Sequence, residues 1–537
     1  MARPEIILFN LSFCNMMIKE MDIRLKIILV VLLIAVFIQP FIAMRNFGPV
    51  TDEITHLPSG YSYWKTGEIR LNPQHPPLIK LISAIPLLFM DLKFPTSAMN
   101  HEWTFGKEFL YQNNADQILF WGRIPAILVS VLLAFYVFKW SLELFGPKAG
   151  IFALFLYAFT PDILAHSQFV TTDMGVTAFS FITIYYLWKL VKERSRKNLV
   201  LTGIGLGLAL GAKFSGVLLL PLIPLLALIH FWQEKTGFSK KFFDLLKLTT
   251  PVFTLAFILI YVFYLFPADI GFYKNGLESL YKDRNPNYFY YLNGEFKSEG
   301  WWYYFILAFL MKVPVPILVF IAASLILWKK FKMNISDRLF LFLPTGAFLI
   351  FTSFWAHNIG IRYLLPIYPF LIIYSSGLVN LDWFKNSRIR KKIGLVSSYI
   401  LMVWLVFGTI LIHPDYLAYF NELAGGPENG YQRLDDSNIE WGQDLKRLAE
   451  YQKKYPNAKV VYPWRFVDLN YYGIKNNLFE VKENWWTEPS GRYVVSVYFL
   501  IRAKLSSQVR QDPSLDWLSL YEPVDRVGYS YLVYEFK

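Results

Sequence analysis

Residues 25–53 read LKIILVVLLIAVFIQPFIAMRNFGPVTDE. The stretch Leu25–Met44 is almost wholly apolar and has the length needed to cross a hydrocarbon core about 30 Å thick. An acidic pair, Asp52 and Glu53, follows within a few residues, so two carboxylates are held close to a membrane surface. Charge at that depth is costly and seldom accidental. No small-residue cleavage site follows the apolar run, which therefore reads as a retained helix rather than a removed leader. Residues 1–24 read as a cytoplasmic N-terminal extension.

The same pattern continues along the chain. Of its 537 residues, 55% are hydrophobic and only 17% are charged, less charge than a soluble chain of this length carries. Eleven apolar spans account for the bias, at roughly 25–44, 118–139, 148–165, 173–191, 198–212, 214–232, 248–267, 303–328, 339–356, 361–381 and 393–413. The net charge of +13 sits in alternate short loops. These are Lys189 to Lys197, Lys235 to Lys241, Lys329 to Lys332, and Lys385, Arg388, Arg390, Lys391 and Lys392. Such alternation sets membrane orientation and is no nucleic-acid footprint. The single cysteine, Cys14, excludes an intramolecular disulfide and a cysteine zinc cluster. There is no HExxH, P-loop or dinucleotide fingerprint.

With the N-terminus inside and an odd number of spans, the first loop (45–117) and the tail (414–537) lie outside. The tail alternates a polar helical stretch, Gly442–Lys454, with strand-like runs at Lys459–Tyr462, Tyr493–Leu500 and Tyr529–Phe536, which implies a small α/β domain. The expected architecture is an α-helical polytopic membrane protein, with a transmembrane domain over 25–413 and a C-terminal exterior α/β domain.

Several charged residues gather at the outer ends of the spans. Asp52-Glu53 reads either as a solvated acidic pair or as a general base able to deprotonate a hydroxyl. Asp173 opens the fourth span, where an aspartate also suits a helix start. His75-Pro-Pro-Leu-Ile-Lys80 opens an apolar stretch, Leu78–Phe89, too short to span and expected to lie at the interface. Lys80 can snorkel there or meet a phosphate. Arg123 sits near the outer end of the second span, and its fork suits a phosphate. Lys213 and Arg362 break the positive-inside trend. Cations beside carboxylates on one face point to an anionic ligand at the outer leaflet. A lipid-phosphate-linked sugar fits: the cations stabilise the leaving phosphate while a carboxylate takes the acceptor's proton, and one-step displacement inverts the anomeric centre.

These residues resemble the GT-C class of membrane glycosyltransferases, and within it glycosyltransferase family 39, which includes protein O-mannosyltransferases and lipid A aminoarabinose transferases. Thr51-Asp-Glu53, His75-Pro-Pro-Leu-x-Lys80, Arg123-Ile-Pro, Thr172-Asp173, Lys213 and Arg362-Tyr-Leu-Leu-Pro366 carry the resemblance, over about residues 25–415. It implies Asp52 as the catalytic carboxylate, with Glu53, Asp173 and His75 at the acceptor or sugar site. It implies Arg123, with Lys80, Lys213 and Arg362, as ligands of the carrier phosphate. The donor would be a polyprenyl- or dolichyl-phosphate monosaccharide, with mannose among the candidates, and the acceptor a protein or lipid hydroxyl. Family members differ over metal use; no clean ligand set marks a site here, and a divalent cation stays open. The tail departs from the sugar-binding-type repeats of eukaryotic mannosyltransferases. It carries instead Asp435-Asp-Ser-Asn-Ile-Glu-Trp-Gly-Gln-Asp-Leu445, whose Asp435, Asp436, Glu440 and Asp444 read as a solvated helix-entry loop or as a site for a cation or polar acceptor. The competing reading is a transporter or flippase for a lipid-linked sugar. Such proteins hold substrate charges near the midplane between repeats, and neither feature is visible here.

Overall fold

The computed structural model describes residues 18–282, 285–381, 388–464, 466–475, 477–478 and 490–537. Residues 1–17 of the extension, Lys385, and the side chains of Arg388, Arg390 and Lys391 lie outside the described residues.

The chain is a multi-pass helical membrane protein. Among the described residues, eight helices are long and apolar enough to cross a bilayer: Ile23–Asn46, Ala115–Phe145, Thr172–Glu193, Phe214–Trp232, Phe238–Phe263, Ile335–Trp355, Ile361–Asn380 and Lys392–Leu411. Two spans expected to be continuous, 148–165 and 303–328, are broken. Pro147–Ala158 turns by 65° into Pro161–Ser167, and Tyr304–Lys312 turns by 116° into Val315–Ile326. Pro161 stands at the first break and Pro314 and Pro316 at the second, where a missing N–H and a steric clash stop a helix from continuing. The remaining expected span, 198–212, is the helix Arg196–Ala212, whose 17 residues extend about 25 Å, short of a full crossing. It packs unusually close to its neighbours. A Cβ on Gly203 would stand 2.9 Å from Leu255, one on Gly207 2.8 Å from Leu259, and one on Gly211 2.7 Å from Phe263.

Charged loops mark the two ends of the bundle. At one end Lys189 pairs with Glu143 at 3.0 Å, Lys192 with Asp337 at 2.5 Å, and Arg194 with Glu234 at 2.6 Å and Asp244 at 3.1 Å. At the other end lie the first loop and the tail. The first loop folds into helices Thr51–Thr66, Leu78–Ala84 and Glu102–Tyr111. The expected interfacial helix is only partly outward-facing: Leu78 and Lys80 are buried in protein, while Phe89 is exposed.

The tail contains a four-stranded sheet, after a hairpin of β1 (Tyr290–Leu292) and β2 (Glu295–Lys297) in an earlier loop. β3 (Lys459–Val461) runs parallel to β4 (Gly491–Ser496), with Val460 opposite Val494. β6 (Tyr531–Phe536) is antiparallel to both β4 and β5 (Asp525–Val527). The strand-like run Tyr493–Leu500 thus ends early. The Ser496 hydroxyl accepts the Phe499 N–H at 3.2 Å and starts the helix Val497–Arg510, the usual work of an N-cap serine. First loop and tail share one apolar core: Ile54, Leu57, Phe105 and Phe109 from the loop pack with Leu445, Leu448, Val460, Val494 and Val533 from the tail.

Candidate active site

The tail fixes where the Thr51–Thr66 helix begins. The Thr51 N–H donates to the Trp441 carbonyl at 3.0 Å, and the Gly48 N–H to the Gln443 carbonyl at 2.9 Å. Asp52 and Glu53 occupy the first helical turn, where unpaired N–H groups favour carboxylates. From there the two acids diverge.

Asp52 keeps about a fifth of its side chain exposed (21%) and meets Arg362, Nη1 to Oδ2, at 2.6 Å. Arg362 comes from the start of the Ile361–Asn380 span and also approaches Asp173, Nη1 to Oδ2, at 3.6 Å. Asp173, in the first turn of Thr172–Glu193, accepts from Lys213 Nζ at 2.5 Å. Lys213 stands at the junction of Arg196–Ala212 and Phe214–Trp232, with its ammonium 4.3 Å from the centre of the Tyr363 ring. Four residues spread over more than 300 positions therefore form one chain: Asp52, Arg362, Asp173, Lys213. The Trp441 ring from the tail covers the guanidinium, 4.2 Å from its carbon, a cation–π contact that fixes the plane of the fork.

Glu53 is fully buried and turns the other way. Its Oε1 accepts from Arg123 Nε at 2.8 Å and from the Val170 N–H at 3.0 Å. Its Oε2 accepts from Arg123 Nη2 at 2.6 Å and from the Val50 N–H at 3.0 Å. Arg123 completes its set with the carbonyls of Met44 (2.8 Å), Phe47 (3.2 Å) and Gly48 (2.6 Å). A guanidinium has five N–H donors, and these contacts use them all, so Arg123 clamps the first loop and offers nothing to a phosphate. Lys80 is likewise committed. Its Nζ donates to the carbonyls of Asn72 and His75, both at 2.7 Å, to Tyr63 Oη at 2.9 Å and to Asn72 Oδ1 at 3.1 Å. His75 packs edge-to-face on His56, ring centres 5.0 Å apart, and His56 Nδ1 lies 3.2 Å from the Val170 carbonyl. Burial holds both imidazoles neutral, His56 down to about 4 and His75 also below its ordinary value, with the neighbouring His56 and Lys80 adding to the effect on His75.

The acids of the tail segment have separate fates. Glu440 accepts from Ser496 Oγ (2.6 Å), the Tyr498 N–H (2.9 Å) and Trp464 Nε1 (3.0 Å). Asp444 accepts from Ser530 Oγ at 2.5 Å and pairs with Arg447 at 3.2 Å, while Asp435 pairs with Arg502. Only Asp436, beside the Arg362 cluster, stays partly exposed. Among the described residues, no three His, Cys, Asp or Glu side chains come together to hold a metal ion. Sequence reading missed Trp441 and Tyr363 as site residues. Tyr363 directly follows Arg362, whereas Trp441 had no signal except its place in the acidic segment.

Residues 115–264 match a family model described as dolichyl-phosphate-mannose-protein mannosyltransferase. The structure of ArnT from Cupriavidus metallidurans in its apo state aligns with a TM-score of 0.51 at 14% identity, covering 94% of this chain and 97% of that one. The chain shares the GT-C-like fold of ArnT. The same ArnT bound to undecaprenyl phosphate aligns at 0.47 with 13% identity, covering 95% of this chain and 97% of that one. The apo oligosaccharyltransferase of Archaeoglobus fulgidus aligns at 0.49 with 13% identity, covering 92% of this chain and 72% of that one. No curated protein matches the chain. The stretch matched by the family model holds Arg123, Asp173 and Lys213, while Asp52 and Arg362 lie outside it.

Proposed function

We propose that this GT-C protein is an inverting glycosyltransferase that moves a monosaccharide from a polyprenyl- or dolichyl-phosphate donor to a hydroxyl of a protein or lipid acceptor, on the exterior face of the membrane. One observation carries the reading. A partly exposed carboxylate, Asp52, is bound to a cation, Arg362, that belongs to a chain of two carboxylates and two cations at the ends of apolar helices. That is what an acid–base group beside an anion-binding site requires. Asp52 takes the acceptor hydroxyl's proton as its oxygen attacks the anomeric carbon. The bond from that carbon to the phosphate oxygen breaks, and the electron pair leaves on the lipid phosphate. Arg362 and Lys213 stabilise the charge that develops there, with Asp173 holding both cations in place. Arg123 and Lys80 act further back, as the ties that hold the first loop. The donor named in the family model's description, a dolichyl-phosphate mannose, supports the donor class.

The test is sugar transfer by the purified protein in lipid, with a panel of radiolabelled polyprenyl-phosphate monosaccharides and a membrane extract as acceptor. Asp52→Asn should lower transfer about 100-fold or more while donor binding and thermal unfolding stay as in the parent. Movement of donor across the bilayer with no transfer to any acceptor would replace this reading with that of a flippase.

A further inference from the structure

Asp436 has a backbone φ of +54°, a conformation uncommon for any residue with a Cβ and one that recurs at functional sites. It is held there from several directions. Its Oδ1 accepts the Ser437 N–H at 2.7 Å and its Oδ2 accepts the Tyr288 hydroxyl at 3.2 Å. Ser437 Oγ donates to the Ile359 carbonyl at 2.8 Å, and Asn438 Oδ1 accepts the Ile361 N–H at 2.9 Å. The residues after Asp436 are therefore fastened to the chain just ahead of Arg362, and Trp441 closes over that guanidinium. Asp436 lies in the field of Arg362, which partly offsets the rise in its pKa caused by burial. Among the described residues it forms no ion pair within 4.0 Å, unlike Asp435 and Asp444. Asp52 and Asp436 are thus the two partly exposed carboxylates around Arg362, one from the first loop and one from the tail.

The surface beyond Asp436 is aromatic. Arg502 lies between Tyr288 and Tyr498, 4.8 Å and 4.9 Å from their ring centres. Trp464 packs on Tyr498 at 4.8 Å with 32° between the planes. All three rings are partly exposed. Partly exposed rings give the C–H face of a pyranose a surface to pack on, and a fixed carboxylate accepts hydrogen bonds from its hydroxyls.

We propose that Asp436, with Tyr288, Tyr498 and Trp464, binds the acceptor, and that the acceptor's reacting hydroxyl belongs to a saccharide. This rests on the glycosyl-transfer reading above. Asp436 is a specificity-determining residue, while Asp52 remains the base.

The test measures two reactions of the full-length protein in lipid with a polyprenyl-phosphate monosaccharide donor: hydrolysis by water, and transfer to methyl glycosides or to a serine- and threonine-containing peptide. Asp436→Asn should raise the KM for methyl glycoside about 10-fold or more, the worth of a hydrogen bond to a charged group, a larger change than any in the rate of donor hydrolysis. Tyr498→Leu, which leaves the Asp436 loop intact, should raise the same KM. Unchanged glycoside KM in both variants, or transfer to the peptide alone, would overturn the inference and leave the transferase reading standing. Failure of the parent protein to cleave any donor, even with water, would overturn both.

Discussion

At the scale of single residues, the neighbours Asp52 and Glu53 show how burial separates roles that sequence alone leaves equivalent. Both sit in the first turn of one helix. Glu53 is enclosed by four donors, two of them from a fully engaged arginine, whereas Asp52 has, among the described residues, a single ionic partner. The same reasoning divides the cations. Removing one member of a buried pair leaves an uncompensated charge and costs about 3–5 kcal/mol. Arg123→Ala should therefore lower the thermal unfolding midpoint severely. Lys213→Met should cost much less, because the Lys213 side chain keeps 11% exposure and Asp173 retains Arg362 at 3.6 Å; its defect should appear as weaker donor binding. Unfolding curves and donor-binding isotherms of the two variants check the contrast. If Lys213→Met unfolded as Arg123→Ala is expected to, while Arg123→Ala bound donor poorly but stayed folded, the assignment would be reversed. That these cations gather at one end of the bundle was legible in the sequence. Which of them are saturated by the protein's own acceptors was not, because that depends on backbone carbonyls at Met44, Phe47 and Gly48 whose direction no side-chain pattern encodes.

At the scale of elements, the bundle is closed by spacing as much as by apolarity. Gly203, Gly207 and Gly211 recur every four residues on Arg196–Ala212, and Leu255, Leu259 and Phe263 recur with the same period on Phe238–Phe263. Each glycine receives one of these side chains, so the two helices approach closely where lipid-like side chains alone would give no preference. Gly205 lies off that row, and a Cβ there would stand 2.8 Å from Thr183 Oγ1 instead. Gly207→Val should lower stability by about 1–3 kcal/mol through overpacking. A thermal shift in detergent reads the effect, and pairing Gly207→Val with Leu259→Ala should restore part of it, since the new methyls then take up vacated space. An unchanged midpoint in the single variant would show that the helices can part without cost. Span positions were legible from hydropathy, yet the breaks near Pro161 and Pro314 were not. Hydropathy sums apolar residues across a bend as readily as along an axis, and the prolines that mark these bends are also tolerated in spans that stay whole, such as Pro125 within Ala115–Phe145.

At the scale of the molecule, the tail shares its structure with the bundle. Three strands of its four-stranded sheet were legible as alternating runs, while the short Asp525–Val527 was not; its composition reads as a separate unit, but its packing does not. Apolar residues of the first loop and the tail form one core, and the Trp441 and Gln443 carbonyls take the N–H groups of Thr51 and Gly48. Lys312 Nζ, at the bend between Tyr304–Lys312 and Val315–Ile326, donates to the Leu417 and Asn438 carbonyls, each at 2.7 Å. Removing the tail would leave Lys312 buried without those acceptors and would bare the apolar face of the Thr51–Thr66 and Glu102–Tyr111 helices. Either loss is a recognised route to large destabilisation. Truncation after His413 should therefore yield protein whose first loop is rapidly cut by protease and whose yield as a single species falls sharply, with donor binding lost at the same time. A milder variant separates stability from catalysis. Trp441→Phe keeps a ring over Arg362 and leaves the backbone contacts of residues 441 and 443 in place, so protease resistance should match the parent. If the truncated bundle proved as resistant as the full chain, the tail would be an independent domain, and the shared core would contribute little to holding Asp52 beside Arg362.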